Sequence, residues 1–492
     1  MNKTHPSRAA EFDLSEGLAF FWRKLKGKDG KEIDPLVQRF VANRAKALMY
    51  HPQALGNYFT YRHAITILGI DPHTIFSEGK LSLPDNYTDL GYMWSQAGPP
   101  PCALEAMREH LDEDAIAPYP PDLISELREL VATVKFHRPR SESFDVLGVE
   151  GAQGGIGYTF MSYLDPGDEI LITDPSYMHF SPGPMIEGAV VTSIPLGPHN
   201  GFRLDPEEVR SRITNRTKML VVCDPLNPFG TVQTRDELIA IAEICRRNNV
   251  MIFNNITHGT HQTNPNAKHI PMASLYRETD VDHVVSTTGM SKGYALAGLR
   301  MGFLAGHPDL LKAPAMLKME VTKIHNNLLS QYGALAALKD ESYVEHSTAI
   351  MRRNLALIKK AVANTDGVVL PVEPQYGFCL CLDVSATGVS AQELTVALFK
   401  QGFCVISGDA LGDVGATQYI RINYSQKDAS RLEAFVAALP KAVRDAQTGK
   451  YREGVKSFYR KVKTDRSARI LEELDKPRHI VSTREPATVA AE

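Results

Sequence analysis

Residues 291–300 read Ser-Lys-Gly-Tyr-Ala-Leu-Ala-Gly-Leu-Arg and follow a short apolar run at residues 283–286. A lysine just after a strand is usually a solvated surface residue. Lys292, however, lies in a loop of small residues, and Arg300 follows it eight positions later. A lysine that reacts covalently with an anionic ligand needs a sheltered site and an anchor for the ligand's charge. Arg300 offers a guanidinium suited to a phosphate and Ser291 offers a hydroxyl donor, so this stretch predicts a reactive lysine beside an anion site.

The sequence on both sides of this stretch alternates between strand-like and helix-like segments. Short apolar runs lie at residues 144–149, 169–173, 190–195, 218–223, 250–253, 283–286 and 301–305. Strands that alternate with helices form a mostly parallel sheet that is covered on both faces. We therefore predict an α/β domain around Lys292.

The length of the chain predicts more than one domain, because 492 residues exceed what a single hydrophobic core organises. Several short amphipathic helices are expected between residues 12 and 80, and residues 330–445 alternate long helices with strands. We predict an N-terminal helical extension and arm (1–100), a large ligand-binding domain (101–328), a smaller α+β domain (329–445) and a C-terminal extension (446–492) with a disordered end.

Charge and cysteine content argue against several classes of protein. The 54 Lys and Arg against 57 Asp and Glu leave a net charge of −3, which does not favour nucleic acid or an anionic membrane as a partner. No apolar run approaches the roughly 20 residues that span a bilayer, and the N-terminus lacks the pattern of a secretory signal. The six cysteines are scattered without metal-ligand spacing. We expect a cytoplasmic protein without a metal or a disulfide.

Other stretches place polar groups beside predicted strands. Gly151-Ala152-Gln153-Gly154-Gly155 follows a strand and opens a helix, so its backbone amides can bind a phosphate. Asn227 lies in an Asn-Pro turn after the run at 218–223. Arg421 interrupts the apolar strand at 419–424, and a buried arginine is costly unless it is paired with an anion.

The segment around Lys292 resembles the Ser-Lys-(five residues)-Gly-x-Arg signature of class I/II aminotransferases, and the likeness extends over residues 88–440. These enzymes are aspartate-aminotransferase-like and belong to pyridoxal-phosphate fold type I. The resemblance implies an α/β fold with a large domain that has a mostly parallel sheet, a smaller α+β domain and, in this chain, helical N- and C-terminal extensions. It also implies pyridoxal 5′-phosphate as the cofactor, held as a Schiff base on Lys292.

The same resemblance implies where the cofactor phosphate binds. The turn at residues 151–153, Ser291 and Arg300 match the positions that hold the phosphate within one subunit. Tyr119, in Ala-Pro-Tyr-Pro, matches the tyrosine that reaches the phosphate of the neighbouring subunit, and residues 325–327 match a second cross-subunit loop. These matches predict a homodimer, or a larger homo-oligomer, with shared active sites.

The resemblance also implies that three further residues contact the pyridine ring of the cofactor or the substrate. Tyr177, in Asp-Pro-Ser-Tyr, corresponds to the aromatic residue that stacks on the pyridine ring. Asn227 corresponds to the asparagine that donates to the phenolic oxygen of the ring and faces the substrate. Arg421 corresponds to the arginine that binds the substrate α-carboxylate, a planar anion that matches a guanidinium.

The sequence departs from the family pattern at the ring nitrogen. The family carries Asp-x-x-Tyr, where the aspartate holds the pyridinium proton and the tyrosine contacts the phenolic oxygen. The strand register places Asn255 and His258 at these positions, with Asn254 and Thr257 as the alternative. An amide lacks the charge–charge term that stabilises a pyridinium. Two smaller departures are Gly289, where a Ser or Thr is usual, and residues 407–412, which replace a Pro-Gly-x-x-Phe-Gly turn.

These residues predict an aminotransferase that acts on an α-amino acid, with an amino acid or keto acid as its small-molecule substrate. Lys292 would hold the cofactor and then act as the 1,3-proton shuttle once the substrate has displaced it, and Asn255 and His258 would contact the ring. The alternatives are a lyase, racemase or decarboxylase on the same scaffold, and a regulatory protein that binds pyridoxal phosphate without turnover. The substrate side chain is left open.

Overall fold

The structure, a computed structural model, describes residues 88–91, 94–279, 281–462 and 465–476. The helices predicted between residues 12 and 80 and the predicted disordered end lie outside the described residues. The described strands are β1 (Thr88–Asp89), β2 (Asp145–Glu150), β3 (Glu169–Asp174), β4 (Val190–Pro195), β5 (Thr217–Cys223), β6 (Met251–Asn255), β7 (Val284–Gly289), β8 (Met301–Gly306), β9 (Cys379–Asp383), β10 (Phe403–Cys404), β11 (Ile406–Ser407) and β12 (Tyr419–Asn423).

The described α-helices are α1 (Pro101–Glu109), α2 (Glu113–Ile116), α3 (Ser125–Phe136), α4 (Gly151–Tyr163), α5 (Pro182–Met185), α6 (Pro206–Arg212), α7 (Arg235–Arg247), α8 (Met290–Gly293), α9 (Pro308–Val321), α10 (Leu328–Lys339), α11 (Glu341–Ala363), α12 (Ala391–Lys400), α13 (Ala429–Gln447), α14 (Arg452–Val462) and α15 (Asp465–Asp475). Short 3₁₀ turns connect several of them, at Pro198–Asn200, Met272–Leu275, Ala297–Leu299, Ser385–Thr387 and Gly408–Ala410.

The large sheet has seven strands in the order β2-β8-β7-β6-β5-β3-β4. Strand β8 runs antiparallel to β2 and β7, and the other neighbouring pairs are parallel. Each apolar run predicted from the sequence overlaps one of these strands, and the mostly parallel α/β sheet is confirmed. The predicted ends lie within three residues of the observed ends, and the run at 190–195 matches β4 at both ends. Strand β6 extends beyond its apolar run because the polar residues Asn254 and Asn255 continue the ladder.

Helices bury both faces of this sheet. Alternate residues of β3 point to opposite sides: Ile170 and Ile172 pack in the cluster that contains Phe160 of α4. Leu171 packs in the cluster that contains Ile241 of α7. This period of two is the property of a strand that is covered on both sides.

A second sheet lies in the C-terminal half, with the antiparallel order β11-β12-β9. One apolar cluster joins Leu382 of β9 and Ile420 of β12 to Leu355 of α11, Leu398 of α12 and Phe435 of α13. Strand β1 extends this region, since Thr88 and Asp89 pair in parallel with Phe403 and Cys404 of β10.

The domain boundary predicted at residues 328/329 stays a prediction. Helix α10, which follows it, packs Ala334 and Ala337 in the same apolar cluster as Leu127 of α3 and Phe303 of β8. The first helix after the predicted boundary is therefore in contact with the large sheet.

The helices α14 and α15 form a pair with an apolar cluster of its own. Val455 and Tyr459 of α14 meet Ile470 and Leu474 of α15, and Ala416 closes the cluster from the loop before β12. The helical part of the predicted C-terminal extension thus docks on the loop that joins β11 to β12.

The described residues were compared with the requirements of a membrane span, a metal site and a disulfide. None of their helices is both long and apolar enough to cross a membrane. Within the same ranges, no three His, Cys, Asp or Glu side chains lie close enough together to hold a metal ion. The six cysteines carry free thiols.

The directions of the strands bring the carboxyl ends of the parallel strands to one edge of the large sheet. Strands β2, β3, β5, β6 and β7 all end there. The antiparallel strand β8 begins there, because its first residue, Met301, pairs with Glu150 at the end of β2. In open α/β sheets, ligands bind beyond the carboxyl ends of the parallel strands.

Candidate active site

A cavity opens at this edge of the large sheet, and most of the residues singled out from the sequence line it. They are Ala152, Gln153, Tyr177, Asn227, Asn255, His258, Ser291, Lys292 and Arg300. Residues from five separate strand ends thus meet around one space. Of the other predicted residues, Gly151 and Arg421 lie beside the cavity residues and Tyr119 lies apart from them.

Lys292 lies in the short helix α8, directly after β7. Burial of its amine, together with the positive charge of Arg421 and a smaller effect of Arg300, lowers the pKa of Lys292 from 10.5 to about 8. A lysine with this pKa is neutral, and therefore nucleophilic, at a far lower pH than an exposed lysine.

The first residue of α4, Gly151, allows a close approach by Arg300. Gly151 has a φ of +71°, and a Cβ atom there would lie 2.6 Å from Arg300 Nη2. A side chain at Gly302 would collide with the backbone of Gly151 at 2.2 Å, so glycine is required on both sides. Arg300 Nη2 donates to the carbonyl oxygen of Glu150 at 3.1 Å. The guanidinium is thus held beside the amino terminus of a 13-residue helix, where backbone N–H groups and the helix dipole favour an anion.

Tyr177 follows the end of β3 and forms one wall of the cavity. Its hydroxyl donates to Gln153 Oε1 at 3.3 Å. The edges of His179 and Phe180 meet the Tyr177 ring at centroid distances of 5.1 and 5.4 Å. Burial raises the pKa of the Tyr177 hydroxyl to about 12, so the ring stays neutral.

The two asparagines at the end of β6 point in opposite directions. Asn254 faces away from the cavity: its Nδ2 donates to the carbonyl oxygen of Val222, and its Oδ1 accepts from the backbone N–H of Met272. Asn255 lines the cavity, and its Oδ1 accepts from the backbone N–H of Thr257 at 3.0 Å. The amide Nδ2 of Asn255 is therefore the group left to meet a ligand.

His258 and Thr257 line the same wall. Burial, with the charges of Lys292 and Arg421, lowers the pKa of His258 to about 3, so its imidazole is neutral. The buried atoms His258 Nδ1 and Thr257 Oγ1 have no hydrogen-bond partner among the described residues. Buried polar atoms are almost always paired in folded proteins, so these two indicate a place that a polar ligand completes.

Arg421 is buried in β12 and reaches Asn227 from the second sheet. Its Nη1 donates to Asn227 Oδ1 at 3.3 Å, and its Nη2 donates to the carbonyl oxygen of Gly91 at 3.3 Å. Its Nε has no partner among the described residues. Both acceptors of this fully buried guanidinium are neutral, which leaves its charge to be balanced by an anion. Asn227 Oδ1 also accepts from Cys379 at 3.8 Å, so its Nδ2 remains for a ligand.

Tyr119 lies outside the cavity of its own chain. Its side chain is 81% exposed, and its ring stacks on His325 at a centroid distance of 5.2 Å. His325 belongs to the loop that was predicted to cross between subunits. The two predicted cross-subunit elements are thus brought together on the surface, away from Lys292.

Several cavity residues were not predicted as site residues. The cavity is also lined by Cys223, Ile156 and Ala297. Two more lining residues are Gly289, noted above only as a departure from the family pattern, and Thr257, noted only in the alternative register with Asn254. Cys223 ends β5, and its position after an apolar run could have indicated it. The contact of Arg421 with Gly91 had no signal, since the two residues are 330 positions apart in the chain.

Comparison with known proteins gives the same family over most of the chain. Residues 87–439 match the model of the family "Aminotransferase class I and II". An aspartate aminotransferase of Pyrococcus horikoshii is 30% identical over 342 residues, which cover 67% of this chain and 84% of that protein. An aspartate/prephenate aminotransferase of Thermus thermophilus is 27% identical over 350 residues, which cover 69% and 87%.

Solved structures show the same fold. A single mutant of the Thermus thermophilus aspartate aminotransferase aligns with a TM-score of 0.69 at 23% identity, over 82% of this chain and 99% of that one. An aromatic aminotransferase from Pyrococcus horikoshii aligns with a TM-score of 0.66 at 23% identity, over 74% and 97%. The family match covers well over half of the chain, and its relatives are named as transferases. The chain therefore belongs to the class I and II aminotransferase family of enzymes.

Proposed function

We propose that this protein is a pyridoxal-phosphate-dependent aminotransferase that acts on an α-amino acid and a keto acid, with its cofactor bound to Lys292. The observation that carries the proposal is the placement of a lysine of lowered pKa between two arginines, Arg300 and Arg421, at one cavity. The two guanidinium groups beside this cavity call for two anions. A cofactor phosphate and a substrate carboxylate supply them.

The residues present fit pyridoxal phosphate. Arg300, Ser291 and the amino terminus of α4 form the phosphate end, where Gly151 leaves room for the guanidinium. Tyr177 provides an aromatic wall, and His258, whose buried Nδ1 has no partner among the described residues, also lines the cavity. When bound, pyridoxal phosphate supplies an aldehyde that condenses with amines and a ring that withdraws electrons from the attached carbon.

Lys292 performs two tasks in this proposal. As a neutral amine it binds the cofactor, and once the substrate amine has replaced it, its Nζ moves a proton. It accepts the proton from the substrate Cα as a general base and returns it to the carbon at the 1,3 position as a general acid. Its pKa of about 8 suits both directions of transfer near neutral pH.

Arg421 and Asn227 orient the substrate in this proposal. The guanidinium of Arg421 would bind the α-carboxylate, and because it holds Asn227 Oδ1, the Asn227 Nδ2 would be available to donate to the phenolic oxygen of the ring. The hydrogen bond between Arg421 and Asn227 would therefore connect the group that binds the substrate carboxylate with the group that binds the ring. The neutral His258 provides a second polar group on the ring side, in place of the tyrosine of the family.

A second candidate function rests on Asn255. Its Oδ1 is held by the Thr257 N–H, so its Nδ2 donates into the cavity. A donor at this position pairs with an unprotonated ring nitrogen, whereas a carboxylate would favour the protonated form. Reactions that expel a leaving group or reprotonate Cα directly depend less on a protonated ring. A lyase or racemase on the same scaffold is therefore the second candidate.

We also propose that the active form is a homodimer, or a larger homo-oligomer, with shared sites. The support is the exposed Tyr119, which stacks on His325 and does not line the cavity of its own chain. In this arrangement the Tyr119 hydroxyl reaches the phosphate in the neighbouring subunit.

The first prediction tests Lys292. Borohydride reduction in the presence of pyridoxal phosphate, followed by peptide mapping, should place the label on Lys292. Because the folded pKa is lowered to about 8, the rate of cofactor capture by the apoprotein should rise through pH 8 rather than 10.5. Arg421→Gln should move this midpoint upwards, since it removes a nearby positive charge. A label on another lysine, at saturating cofactor, contradicts the proposal.

The second prediction concerns Arg421. Arg421→Gln should weaken amino-acid binding by about 1.5–3 kcal/mol, the cost of losing a hydrogen bond to a charged group. Cofactor content, measured by absorbance, should stay at the wild-type level. Arg352→Gln, which removes an arginine that donates to the carbonyl oxygen of Gln262, serves as the control. Normal amino-acid affinity in Arg421→Gln would show that the carboxylate is held elsewhere.

The third prediction separates the two candidate reactions. Asn255→Asp places a carboxylate at the ring nitrogen, which should become protonated and raise the transamination rate by roughly tenfold or more. The nitrogen chemical shift of ¹⁵N-labelled cofactor reports the protonation directly. Asn255→Ala, which supplies neither a charge nor a donor, should not raise the rate. Fast transamination that is indifferent to all changes at Asn255 would contradict the proposed contact.

The fourth prediction tests the shared site. Lys292→Ala and Tyr119→Ala should each be nearly inactive, but subunits mixed in equal amounts should recover activity. About a quarter of the wild-type level is expected, because half of the random dimers are mixed and each holds one intact site. If Tyr119 serves its own subunit, mixing restores nothing.

A further inference from the structure

The helix pair α14–α15 begins at Arg452, beyond residue 439, where the match to the family ends. It packs on residues 407–418, which join β11 to β12 and contain the stretch that departs from the family turn. The apolar contact is formed by Val455, Tyr459 and Ile470 with Ala416 of this loop. The helix pair therefore lies outside the family match and packs against the loop that departs from the family turn.

Polar contacts hold the loop from the side of the helix pair. The Tyr459 hydroxyl donates to Asp409 Oδ2 at 2.7 Å, and both groups are buried. Arg466 forms an ion pair with Asp413 and donates through Nη1 to the carbonyl oxygen of Asp409 at 3.1 Å. Arg469 adds a second ion pair to Asp413 at 2.8 Å. Both carboxylates at the centre of the loop are thus bound by side chains from outside the family match.

The other side of the loop binds the end of β3. Asp174 accepts from the backbone N–H of Asp413 at 3.0 Å and of Val414 at 3.1 Å. Ser176 N–H donates to the carbonyl oxygen of Leu411 at 3.0 Å. A Cβ atom at Gly412 would lie 1.8 Å from Asp174 Oδ1, so only glycine allows this approach.

Asp174 is the last residue of β3, and Tyr177 of the cavity wall comes three positions later. Leu411 and Ala410 also belong to the apolar cluster against which Tyr177 packs. A continuous path of contacts therefore runs from α14–α15 through residues 407–414 to Tyr177, which lines the cavity.

We propose that the helix pair α14–α15 is a brace that positions Tyr177 for the cofactor, with Tyr459 and Arg466 as its positioning residues. The inference rests on the proposed function, in which pyridoxal phosphate binds at Lys292 beside Tyr177. Residues 408–415 include three glycines, and such a loop has high conformational entropy unless both of its sides are bound. The brace supplies the outer set of contacts.

Electrostatics connects the brace to Asp174 as well. Burial raises the pKa of Asp174, the two N–H groups and Arg466 lower it and the charge of Asp413 raises it, which together give a pKa of about 6. Asp174 accepts both N–H groups as a carboxylate above this pH and loses its charge as the pH falls through it. Arg466→Gln removes a favourable charge, so the contact should loosen at a higher pH than in the wild type.

The test compares Tyr459→Phe and Arg466→Gln with the control Arg460→Gln, whose exposed arginine pairs with Glu453 on α14. Amide hydrogen exchange at residues 411–414 and 176, measured without cofactor, shows how firmly the helix pair holds the loop and its contacts with the end of β3. The dissociation constant of pyridoxal phosphate, measured by absorbance at several pH values, reports its effect on the site. We expect faster exchange in both variants and a dissociation constant raised about fivefold or more, the equivalent of one hydrogen bond. The pH midpoint of cofactor release should also rise in Arg466→Gln, and the control should match the wild type.

The outcomes separate this inference from the proposed function. If the wild type takes no label at Lys292, the proposed function fails and this inference fails with it. If the wild type is labelled but both variants keep its dissociation constant, or if exchange at residues 411–414 is unchanged, the brace alone is refuted. Tyr459→Phe keeps the ring in the apolar cluster, so it decides the test should Arg466→Gln not fold.

Discussion

The candidate site depends on one constraint, the direction in which each strand of the large sheet runs. Parallel strands bring their carboxyl ends to one edge, so Tyr177, Asn227 and Lys292 meet although they are far apart in the chain. The antiparallel β8 is as important as the parallel strands. It begins at this edge, which places Arg300 beside the amino terminus of α4. Had its six residues run the other way, Arg300 would lie about 20 Å away at the opposite edge.

Two buried cations, Lys318 and Arg421, differ in whether a carboxylate of the chain lies beside them. Lys318 is fully buried, and it donates to the carbonyl oxygens of Gly148 and Ile324 at 2.7 Å with Asp122 at 3.6 Å. Its charge is balanced within the chain, as a structural ion pair requires. Arg421 is buried to the same extent, but it donates to neutral oxygens. A buried cation that meets no anion in the described part of the chain is expected where a ligand completes the charge.

Two amide side chains set the polarity that a ligand meets. The Thr257 N–H holds Asn255 Oδ1, and Arg421 holds Asn227 Oδ1, so both side chains present N–H groups to the cavity. The neighbouring Asn254 is turned to the opposite face of β6, where Val222 and the N–H of Met272 satisfy it. The period of two along a strand thus decides which asparagine reaches the site and which one stabilises the sheet.

The sequence by itself determined the α/β class, the strands of the large sheet and most of the cavity residues. The class and the strands follow from apolar periodicity, which is a local signal, and most of the cavity residues follow from the resemblance to the aminotransferase family. The strand register favoured Asn255 over Asn254 as the cavity residue, and the ladder between β5 and β6 and the side-chain contacts place Asn255 at the cavity. The sequence had no signal for the contact of Arg421 with Gly91 or for the docking of α14–α15 on residues 407–418. These features join residues that are distant in the chain, so their energies depend on packing and hydrogen bonding that exist only once the strands have been brought together.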